Sequence, residues 1–303
     1  MIVAAGLGTR LRPLTELRPK PALPVRGIPL IGYTLALLAR HGVTEVIINA
    51  HHLPDILMDA ARRNCPIDVD LRFSIEAELL DTGGGIRRVA DFLRQSDPCV
   101  IVAGDMLLDA DLSALVAAHR ERGDAWTMLL RAGDPREKTF GTIGVDSENR
   151  VRRIGTRHDL GGEHRAGLYA WANVVAARAF DSLPEREIFS HFDGWIAPQL
   201  ALGATDIRGE ILASDDFVWE PVGTPAEYLA ANLDPIRLSY QGAIADAQRA
   251  GARVDGDVVI GAGAELGPGV KLQRAVIWDG EQVPDGLEAS NGCFAGGAFH
   301  PVD

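Results

Sequence analysis

Short runs of branched apolar residues alternate with stretches of helical spacing along the first half of the chain. Strands separated by helices of this length are typical of βαβ units, which build a parallel sheet. The predicted strands are Met1–Ala5, Thr44–Asn49, Ile67–Ile75, Cys99–Ala103 and Ala125–Leu130, and the predicted helices are Pro29–His41, Pro54–Asn64, Thr82–Gln95 and Asp111–Arg122. The alternation therefore predicts an α/β fold with a Rossmann-like, mostly parallel sheet flanked by helices. Ligands bind such sheets beyond the C-terminal strand ends, so the loops after Ala5 and Ala103 should share one edge.

The pattern becomes strand-rich from Phe140 to about Asn173 and then helix-rich. A further strand is expected near Asp216–Trp219, and a helix over Pro225–Leu238. We expect these segments to belong to one domain over residues 1–240.

A six-residue repeat begins after about Gly251, with successive units opening on Val254, Ile260, Leu266 and Leu272. Branched residues at this period, with small residues between them, predict a short left-handed parallel β-helix over residues 251–303. So short a coil cannot bury its own ends. It should dock on the main domain or on another subunit, which makes a homo-oligomer through the β-helix a candidate assembly.

The formal charge of the 303-residue chain is −12, from 42 acidic and 30 basic side chains. This balance disfavours nucleic acid or an anionic membrane surface as a partner. The first residues lack a basic segment typical of a signal peptide, and no apolar run reaches the roughly 18–20 residues of a membrane span. Three widely spaced cysteines, Cys65, Cys99 and Cys293, form no zinc pattern and favour reduced thiols in a cytoplasmic protein.

The loop after the first strand carries Gly6, Gly8 and Thr9. Glycines allow the backbone to approach phosphate oxygens with its N–H groups. The loop is not a dinucleotide fingerprint, because residue 11 is leucine, and no P-loop sequence exists in the chain. Cations interleaved with prolines follow instead, and a stiffened cationic loop beside a glycine turn suits a triphosphate; these residues are Arg10, Arg12, Pro13, Arg18, Pro19, Lys20 and Pro21.

The run from Gly6 to Thr15, GLGTRLRPLT, followed by Pro19-Lys20-Pro21, resembles the sugar-phosphate nucleotidyltransferases, also called nucleoside-diphosphate-sugar pyrophosphorylases. This family includes mannose-1-phosphate guanylyltransferases and amino-sugar-phosphate uridylyltransferases. The resemblance implies that a sugar 1-phosphate attacks the α-phosphate of an NTP and that pyrophosphate leaves. Arg10 would hold the leaving phosphates, and Lys20 would neutralise the reacting groups. The nucleotide would also contact Ala4, Ala5, Gly6, Gly8 and Thr9.

The resemblance also implies a magnesium site at Asp105, which follows the apolar run CVIVA. Mg²⁺ prefers hard oxygen ligands and phosphates and keeps several waters. The family's second carboxylate lies in a W-x-D-x-G-T segment, where this chain has Pro221. Glu220, one position earlier, is the substitute candidate, although neighbouring side chains on a strand point to opposite faces.

The segment Glu76–Ile86 resembles the part of the family that reads the base. Glu76 would accept hydrogen bonds from the base, Thr82 would line its pocket, and Gly83 would open a helix with free N–H groups. A carboxylate suits guanine, whereas the TGGGI run is similar to uridylyltransferases, so GTP and UTP both stay open.

Sugar contacts are expected from Gly141, Glu163 and Arg157. The resemblance places Gly141 beside the sugar and Glu163 at its hydroxyl groups. Arg157 would replace the lysine of the family's E-K-P segment, which this chain lacks.

Two other readings compete with the enzyme. Pro221 favours a regulatory or assembly subunit that keeps the fold and has weak or no catalysis. The repeat also occurs in acyltransferases, but those enzymes need several coils and a catalytic histidine, for which His300 is a lone candidate. The Gly6–Pro21 loop together with Asp105 favours the nucleotidyltransferase.

Overall fold

The computed structural model describes residues 1–234, 236–240 and 251–302. Its strands up to residue 240 are β1 (Ile2–Val3), β2 (Pro24–Val25), β3 (Ile28–Pro29), β4 (Glu45–Ala50), β5 (Asp70–Ile75), β6 (Cys99–Ala103), β7 (Met106–Asp109), β8 (Trp126–Ala132), β9 (Ile143–Val145), β10 (Val151–Ile154), β11 (His158–Asp159), β12 (Arg165–Val175), β13 (Ile207–Ala213) and β14 (Val218–Pro221). The α-helices are α1 (Leu14–Leu17), α2 (Leu30–Arg40), α3 (Pro54–Arg63), α4 (Asp81–Arg88), α5 (Ala90–Leu93), α6 (Leu112–Arg122), α7 (Glu137–Phe140), α8 (Ala197–Ala201) and α9 (Pro225–Leu233).

The central sheet runs in the order β11-β10-β9-β12-β6-β1-β4-β5, with β8 beside β12 and β13 beside β8. Strands β5, β4, β1 and β6 are parallel, as the βαβ pattern predicts. Strand β12 then enters antiparallel to β6, and β8 pairs antiparallel to β12. The α/β class with a helix-flanked sheet is confirmed.

The register of β1 against β6 places the two predicted ligand loops together. Ile2 pairs with Val102 and Val3 with Ala103, so both strands end at the same edge of the sheet. The chain leaves β1 into the glycine loop and leaves β6 into Gly104 and Asp105. The expected shared edge is therefore present.

Two predicted helices differ from the observed ones. The helix expected over Thr82–Gln95 is divided between α4 and α5 at Val89, where the backbone leaves helical geometry. The helix expected over Pro225–Leu238 ends at Leu233, and Asp234 is extended. A residue that precedes proline disfavours the helical conformation, and Pro235 itself lies outside the described residues.

The C-terminal segment forms a second, smaller stack of strands. They are β15 (Arg253–Asp255), β16 (Val258–Ile260), β17 (Glu265–Leu266), β18 (Lys271–Ile277), β19 (Gln282–Val283), β20 (Glu288–Ala295) and β21 (Ala298–Pro301). Strands β16, β18 and β20 stack in parallel, with Val258 opposite Ala275 and Ala275 opposite Gly292. Strand β17 pairs in parallel with β19. Corresponding residues are stacked one coil apart, so this arrangement fits a β-helical coil. That the coil is left-handed stays a prediction.

The first predicted repeat unit is not part of the parallel stack. Strand β15 pairs antiparallel with β16, and Val254 is 55% exposed instead of being buried inside the coil. Ile260 is buried, and Leu266 and Leu272 pack at the edge of the coil's apolar core. At the other end, β21 pairs antiparallel with β20.

The coil, meaning residues 251–302, docks on the main domain through α9. Val276, Trp278 and Cys293 belong to the same buried cluster as Tyr228 and Leu229 of α9. A short coil was expected to need such a partner surface, and α9 provides one within the chain. The boundary between the predicted domains thus separates elements that share one core.

No helix in the described ranges is long and apolar enough to cross a membrane. Cys65, Cys99 and Cys293 are free. The cytoplasmic location inferred from the cysteine count stays a prediction.

Candidate active site

Two cavities open beyond the C-terminal ends of β1 and β6. The first, of about 580 Å³, is lined by the glycine loop and by the start of α4. The second, of about 600 Å³, is lined by residues from β9, β10, β12 and the segment before α8. Both cavities are lined by Arg10, Lys20, Asp105, Trp171 and Gly223. We call this shared wall the junction.

The glycine loop requires glycine at Gly8. Its φ is 60°, and a Cβ at this position would lie 2.9 Å from Cγ2 of Thr15 and 3.2 Å from Cβ of Lys20. A left-handed conformation and this close approach both exclude a side chain. Thr15 in turn donates its hydroxyl to the Gly8 carbonyl at 2.9 Å. The loop therefore folds back so that Lys20 lies beside the glycine turn.

A buried polar chain connects the glycine loop to the loop after β5. The Ala4 N–H donates to Oδ1 of Asn49 at 2.7 Å. Nδ2 of Asn49 donates to Oε1 of Glu76 at 2.7 Å, and the other Glu76 oxygen accepts from the Leu80 N–H at 3.1 Å. Because buried carboxylates need such partners, this chain holds the loops in register.

Lys20 and Asp105 form an ion pair at the junction. Lys20 Nζ lies 2.7 Å from Oδ2 of Asp105, and the Lys20 side chain is largely buried. Among the carboxylates of the described residues, Asp105 is the one that lines both cavities. The pair brings together the cation and the carboxylate that the sequence predicts for the reaction centre.

Arg10 reaches the junction from the turn that follows Gly8. A Cβ on Gly223 would lie 2.9 Å from Nη2 of Arg10, so the guanidinium packs against bare backbone. The Gly223 N–H is fixed by Oε2 of Glu227 at 2.7 Å. The G-T pair at Gly223 and Thr224 thus makes room for Arg10 and caps α9 through the Thr224 hydroxyl.

Most of the predicted nucleotide contacts line the first cavity. They are Ala4, Ala5, Gly6, Gly8, Thr9 and Thr82. Glu76 does not line this cavity, because it is buried with both oxygens bonded below the loop. Besides Asp105, the carboxylate on this wall is Asp81, whose backbone has a φ of 59°.

Gly83 is also absent from the cavity wall, and its N–H is not free. The N–H groups of Gly83 and Gly84 both donate to the Phe189 carbonyl, at 2.9 and 3.1 Å. A Cβ on Gly83 would lie 2.4 Å from the Phe189 ring. Gly83 and Gly84 therefore serve close packing of α4 against the segment 187–189, and their N–H groups are already bound by protein.

Thr82 connects the first cavity to a buried histidine. Its Oγ1 lies 2.7 Å from Nδ1 of His191 and accepts from the His191 N–H at 3.1 Å. His191 is enclosed by aromatic rings, among them Trp171 at 5.1 Å and Phe192 at 4.1 Å between ring centroids. Burial lowers the pKa of His191 from 6.5 to about 3. This imidazole is therefore neutral at physiological pH.

Trp171 occupies an unusual backbone position on β12. Its φ is 55°, and the register against β8 shifts between Tyr169 and Asn173. A bulge of this kind re-aims a side chain, and here the indole lines both cavities. Nothing in the sequence marks the bulge, so only the tertiary structure places this indole at the cavities.

Glu220 lies on the other side of β14 from the junction. Its neighbours Trp219 and Pro221 line the second cavity, whereas Glu220 lines a separate one with Arg131 and Asp216. Its Oε2 accepts from Nη1 of Arg136 at 2.8 Å. The alternation of side chains along a strand explains this placement, so Glu220 is not brought to Asp105.

Arg136, which holds Glu220, is bound more firmly to Asp134. Its Nη2 lies 2.7 Å from Oδ2 of Asp134, and the Asp134 side chain is 1% exposed. The hydrogen bonds from Arg136 lower the pKa of Asp134 from 3.8 to about 2. Glu220 therefore completes a structural ion network.

The predicted sugar contacts are divided. Gly141 and Arg157 line the second cavity, and Gly141 has a φ of 76° with open space at its Cα. Arg157 is exposed and paired with Asp193 at 3.0 Å. Glu163 does not line the cavity; its carboxylate accepts from Nε of Arg153 at 2.6 Å.

Several cavity residues escaped sequence reasoning. They are Asn49, Leu79, Asp81, Lys138, Tyr169, Trp171, Asp193 and Gly223. Asn49 carried a usable signal, because it ends a predicted parallel strand at the ligand edge. Lys138 and Asp193 lie on short segments without periodicity, so only tertiary structure places them here.

A sheet of this kind, with a glycine loop and a cation–carboxylate pair at its C-terminal edge, is typical of nucleotide-binding α/β enzymes that transfer phosphoryl groups. The sequence profile of the nucleotidyl transferase family matches residues 1–236, and the chain belongs to this family. The family and the enzyme class predicted from the sequence are confirmed.

Individual relatives agree with this assignment. The chain is 33% identical over 311 residues to a mannose-1-phosphate guanylyltransferase of Mycobacterium tuberculosis, covering 94% of this chain and 81% of the relative. It is 25% identical over 303 residues to a UTP–glucose-1-phosphate uridylyltransferase of Synechocystis sp., covering 90% and 76%. HddC from Yersinia pseudotuberculosis, solved in complex with GMP-PN, shares the fold with a TM-score of 0.61 and 21% identity over 76% of this chain and 96% of HddC.

Proposed function

We propose that the chain transfers a nucleotidyl group from an NTP to a sugar 1-phosphate, with release of pyrophosphate. The observation that supports this proposal most strongly is the junction, where Arg10, Lys20 and Asp105 line both cavities. A nucleotide in the first cavity and a sugar phosphate in the second would meet there. Two anionic substrates need cations at such a meeting point, because positioning and charge neutralisation supply most of the catalysis of phosphoryl transfer.

In the proposed reaction, a phosphate oxygen of the sugar 1-phosphate attacks the α-phosphorus of the NTP. The bond between the α-phosphorus and the bridging oxygen breaks, and pyrophosphate leaves with that oxygen. Lys20 stabilises the charge on the reacting phosphates, and Arg10 holds the leaving group. The Gly6–Thr9 turn supports the assignment of phosphate binding to this loop, because the N–H groups of glycine turns bind anions.

Asp105 fits a magnesium ligand. Its carboxylate is 40% exposed at the junction, and one of its oxygens is bound to Lys20. Mg²⁺ is commonly held by one or two carboxylates together with substrate phosphates and water. When bound, Mg²⁺ would neutralise charge on the triphosphate.

GTP and mannose 1-phosphate are the substrates we favour. This choice rests on the relative that is 33% identical over 94% of this chain. The base segment supports it through Asp81, an exposed carboxylate on the wall of the first cavity. Such a group can accept both N1–H and N2–H of guanine, so we assign to Asp81 the role expected for Glu76.

The test is pyrophosphate release with GTP, UTP, dTTP, CTP and ATP, each paired with mannose, glucose and amino-sugar 1-phosphates. We expect the highest kcat/KM for GTP with mannose 1-phosphate. A higher value for UTP would reassign the base and leave the reaction class intact. No release with any pair, from folded protein, would favour the regulatory subunit with the same fold.

We also propose a homo-oligomer through the coil. Strands β15 and β21 lie at the two ends of its five-stranded sheet, and such outer strands offer backbone groups to another chain. Sedimentation of the purified protein tests this, and a monomer at all concentrations would contradict it.

A further inference from the structure

Arg18 belongs to the cationic loop but lines neither cavity of the proposed site. Its Nη1 donates to Oδ1 of Asp279 at 2.6 Å, and its guanidinium lies 4.7 Å from the ring centroid of Trp278. Both partners belong to the coil, 260 residues or more further along the sequence. The composition of the loop suggests that its arginines bind phosphate. Arg18, the third of them, binds the coil instead.

The coil side of this contact is rigidly held. Trp278 is buried, and its Nε1–H donates to the hydroxyl of Tyr228 at 2.9 Å. Tyr228 donates in turn to the carbonyl of Pro24 at 2.7 Å. Burial alone would raise the pKa of Asp279, but the hydrogen bond and charge of Arg18 outweigh it and leave the pKa below 3.8. The carboxylate is therefore ionised and available to Arg18 throughout the neutral range.

A second contact lies one residue before Arg18. The Leu17 side chain packs on the turn between β20 and β21, where a Cβ on Gly296 would lie 2.9 Å from its Cδ1. The N–H groups of Gly296 and Gly297 bind the two oxygens of Glu281, at 2.7 and 2.9 Å. The end of α1 thus rests on backbone that is itself fixed, with the Leu17 methyl groups directly over Gly296.

Arg18 is separated from Lys20 by one residue, Pro19. Arg18 closes α1 through its N–H to the Leu14 carbonyl at 3.1 Å. Prolines on both sides of Lys20 restrict the backbone between the coil contact and the junction. A displacement of Arg18 would therefore be transmitted to the backbone at Lys20.

We propose that Arg18 is a positioning residue through which the C-terminal coil fixes the phosphate loop, and with it Lys20, for the triphosphate. This proposal rests on the proposed function for its substrate, but the coil–loop contact can be measured without catalysis. It assigns the coil a role in nucleotide binding by the same chain, in addition to any role in assembly.

The test uses the full chain with Asp279→Asn, which removes the charge and keeps the shape of the side chain. Glu288→Gln is the matched control, because Glu288 forms an ion pair with Lys271 on the coil surface, away from the loop. The first measurement is hydrogen exchange of the N–H groups in residues 12–20 without substrate. The second is the KM for GTP and the kcat at saturation.

We expect faster exchange in residues 12–20 and a KM for GTP raised roughly 3- to 10-fold in Asp279→Asn, the scale of one partly exposed charged hydrogen bond. The kcat should fall less than the KM rises, and Glu288→Gln should behave as wild type. Arg18→Met combined with Asp279→Asn should be no worse than Arg18→Met alone, because both changes remove one interaction.

Unchanged exchange in Asp279→Asn would overturn the proposal, and so would faster exchange with an unchanged KM. An equal effect of Glu288→Gln would show a general response of the coil and would also overturn it. If wild-type protein turns over no substrate pair, the proposed function fails on its own. The exchange data then still decide whether the coil fixes the loop.

Discussion

At the residue scale, the junction is built from groups that are paired with each other and can accept new partners. Lys20 and Asp105 lie 2.7 Å apart, yet Asp105 is still 40% exposed. Bound phosphates would compete for the ammonium group, and a cation would compete for the carboxylate. The ion pair therefore keeps both groups at the meeting point of the cavities before substrates arrive.

Replacing Lys20 with alanine should lower kcat by roughly 100-fold or more, the scale of losing one transition-state donor. Pyrophosphate release at saturating substrates measures this effect. Lys271→Ala removes a surface lysine of the coil and serves as the control. Near-normal turnover in Lys20→Ala would remove Lys20 from the reaction centre.

Replacing Glu220 with glutamine should leave the Mg²⁺ concentration dependence of turnover unchanged, because Glu220 faces Arg136 and not Asp105. Asp105→Asn should shift this dependence to higher Mg²⁺ or abolish turnover. Titration of Mg²⁺ at fixed substrate distinguishes the two variants. A raised Mg²⁺ requirement in Glu220→Gln would place Glu220 at the metal after all.

His191 should make the stability of the fold dependent on pH. Its pKa is about 3 in the folded protein against 6.5 for the free side chain, so below pH 6.5 the unfolded chain binds the proton more readily. Stability is then full above pH 6.5 and falls as the pH drops towards 3, by up to about 1.4 kcal/mol per pH unit. Urea denaturation on both sides of pH 6.5 should show a shallower loss in His191→Phe. Equal slopes would contradict the buried neutral state.

At the element scale, α4 is defined by what it must pack against. Gly83 and Gly84 face the segment 187–189, and the Phe189 carbonyl accepts from the N–H groups of both. A Cβ on Gly84 would lie 2.0 Å from the Glu187 carbonyl oxygen. The glycine run looked like a ligand loop in the sequence, but its main constraint is the distance between these two elements.

Gly84→Ala should therefore destabilise the protein, although alanine gains about 1 kcal/mol in a helix interior. Overpacking against a backbone carbonyl costs about 1–3 kcal/mol and should outweigh that gain, because the carbonyl cannot move aside as a flexible side chain would. Gly6→Ala is the control, since a Cβ there has nothing within 4 Å. Urea denaturation should show a lower free energy of unfolding for Gly84→Ala than for Gly6→Ala, and the reverse order would contradict the packing argument.

At the scale of the whole molecule, the coil and the main domain share hydrogen bonds as well as apolar contacts. The hydroxyl of Tyr228 accepts from Trp278 of the coil and donates to the Pro24 carbonyl beside the phosphate loop. All three groups are withdrawn from water, so their satisfaction depends on the docked arrangement. The two parts should unfold together.

Tyr228→Phe should lower the free energy of unfolding by about 2–4 kcal/mol, because it leaves two buried polar groups without a partner. Tyr33→Phe is the matched control, since the buried Tyr33 hydroxyl serves one partner, the Val25 carbonyl. Because the coil and the main domain should unfold together, urea denaturation monitored by fluorescence and by circular dichroism should give coincident transitions. A loss no greater than in Tyr33→Phe would show that the shared hydrogen bonds contribute little.

The sequence by itself determined the fold class and the parallel half of the sheet, because strand and helix periods are local properties of the chain. It also placed Gly6, Gly8, Arg10, Lys20 and Asp105 at one sheet edge, since parallel strands end together. Local chemistry was sufficient in these cases. Aspartate is a common helix cap, and Asp111 caps α6 with its Oδ1 accepting from the Ala114 N–H at 2.9 Å.

Tertiary structure decided which polar residues face a ligand and which face protein. Glu76, Glu163, Glu220 and Arg18 all carry charges suited to a site, yet each is bound by a partner that lies from 10 to 261 residues away in sequence. The sequence determines which residues are charged, whereas the partner of each charge depends on strand alternation and on long-range packing. For that reason the location of the site could be predicted from the sequence, but the full set of residues that line it could not.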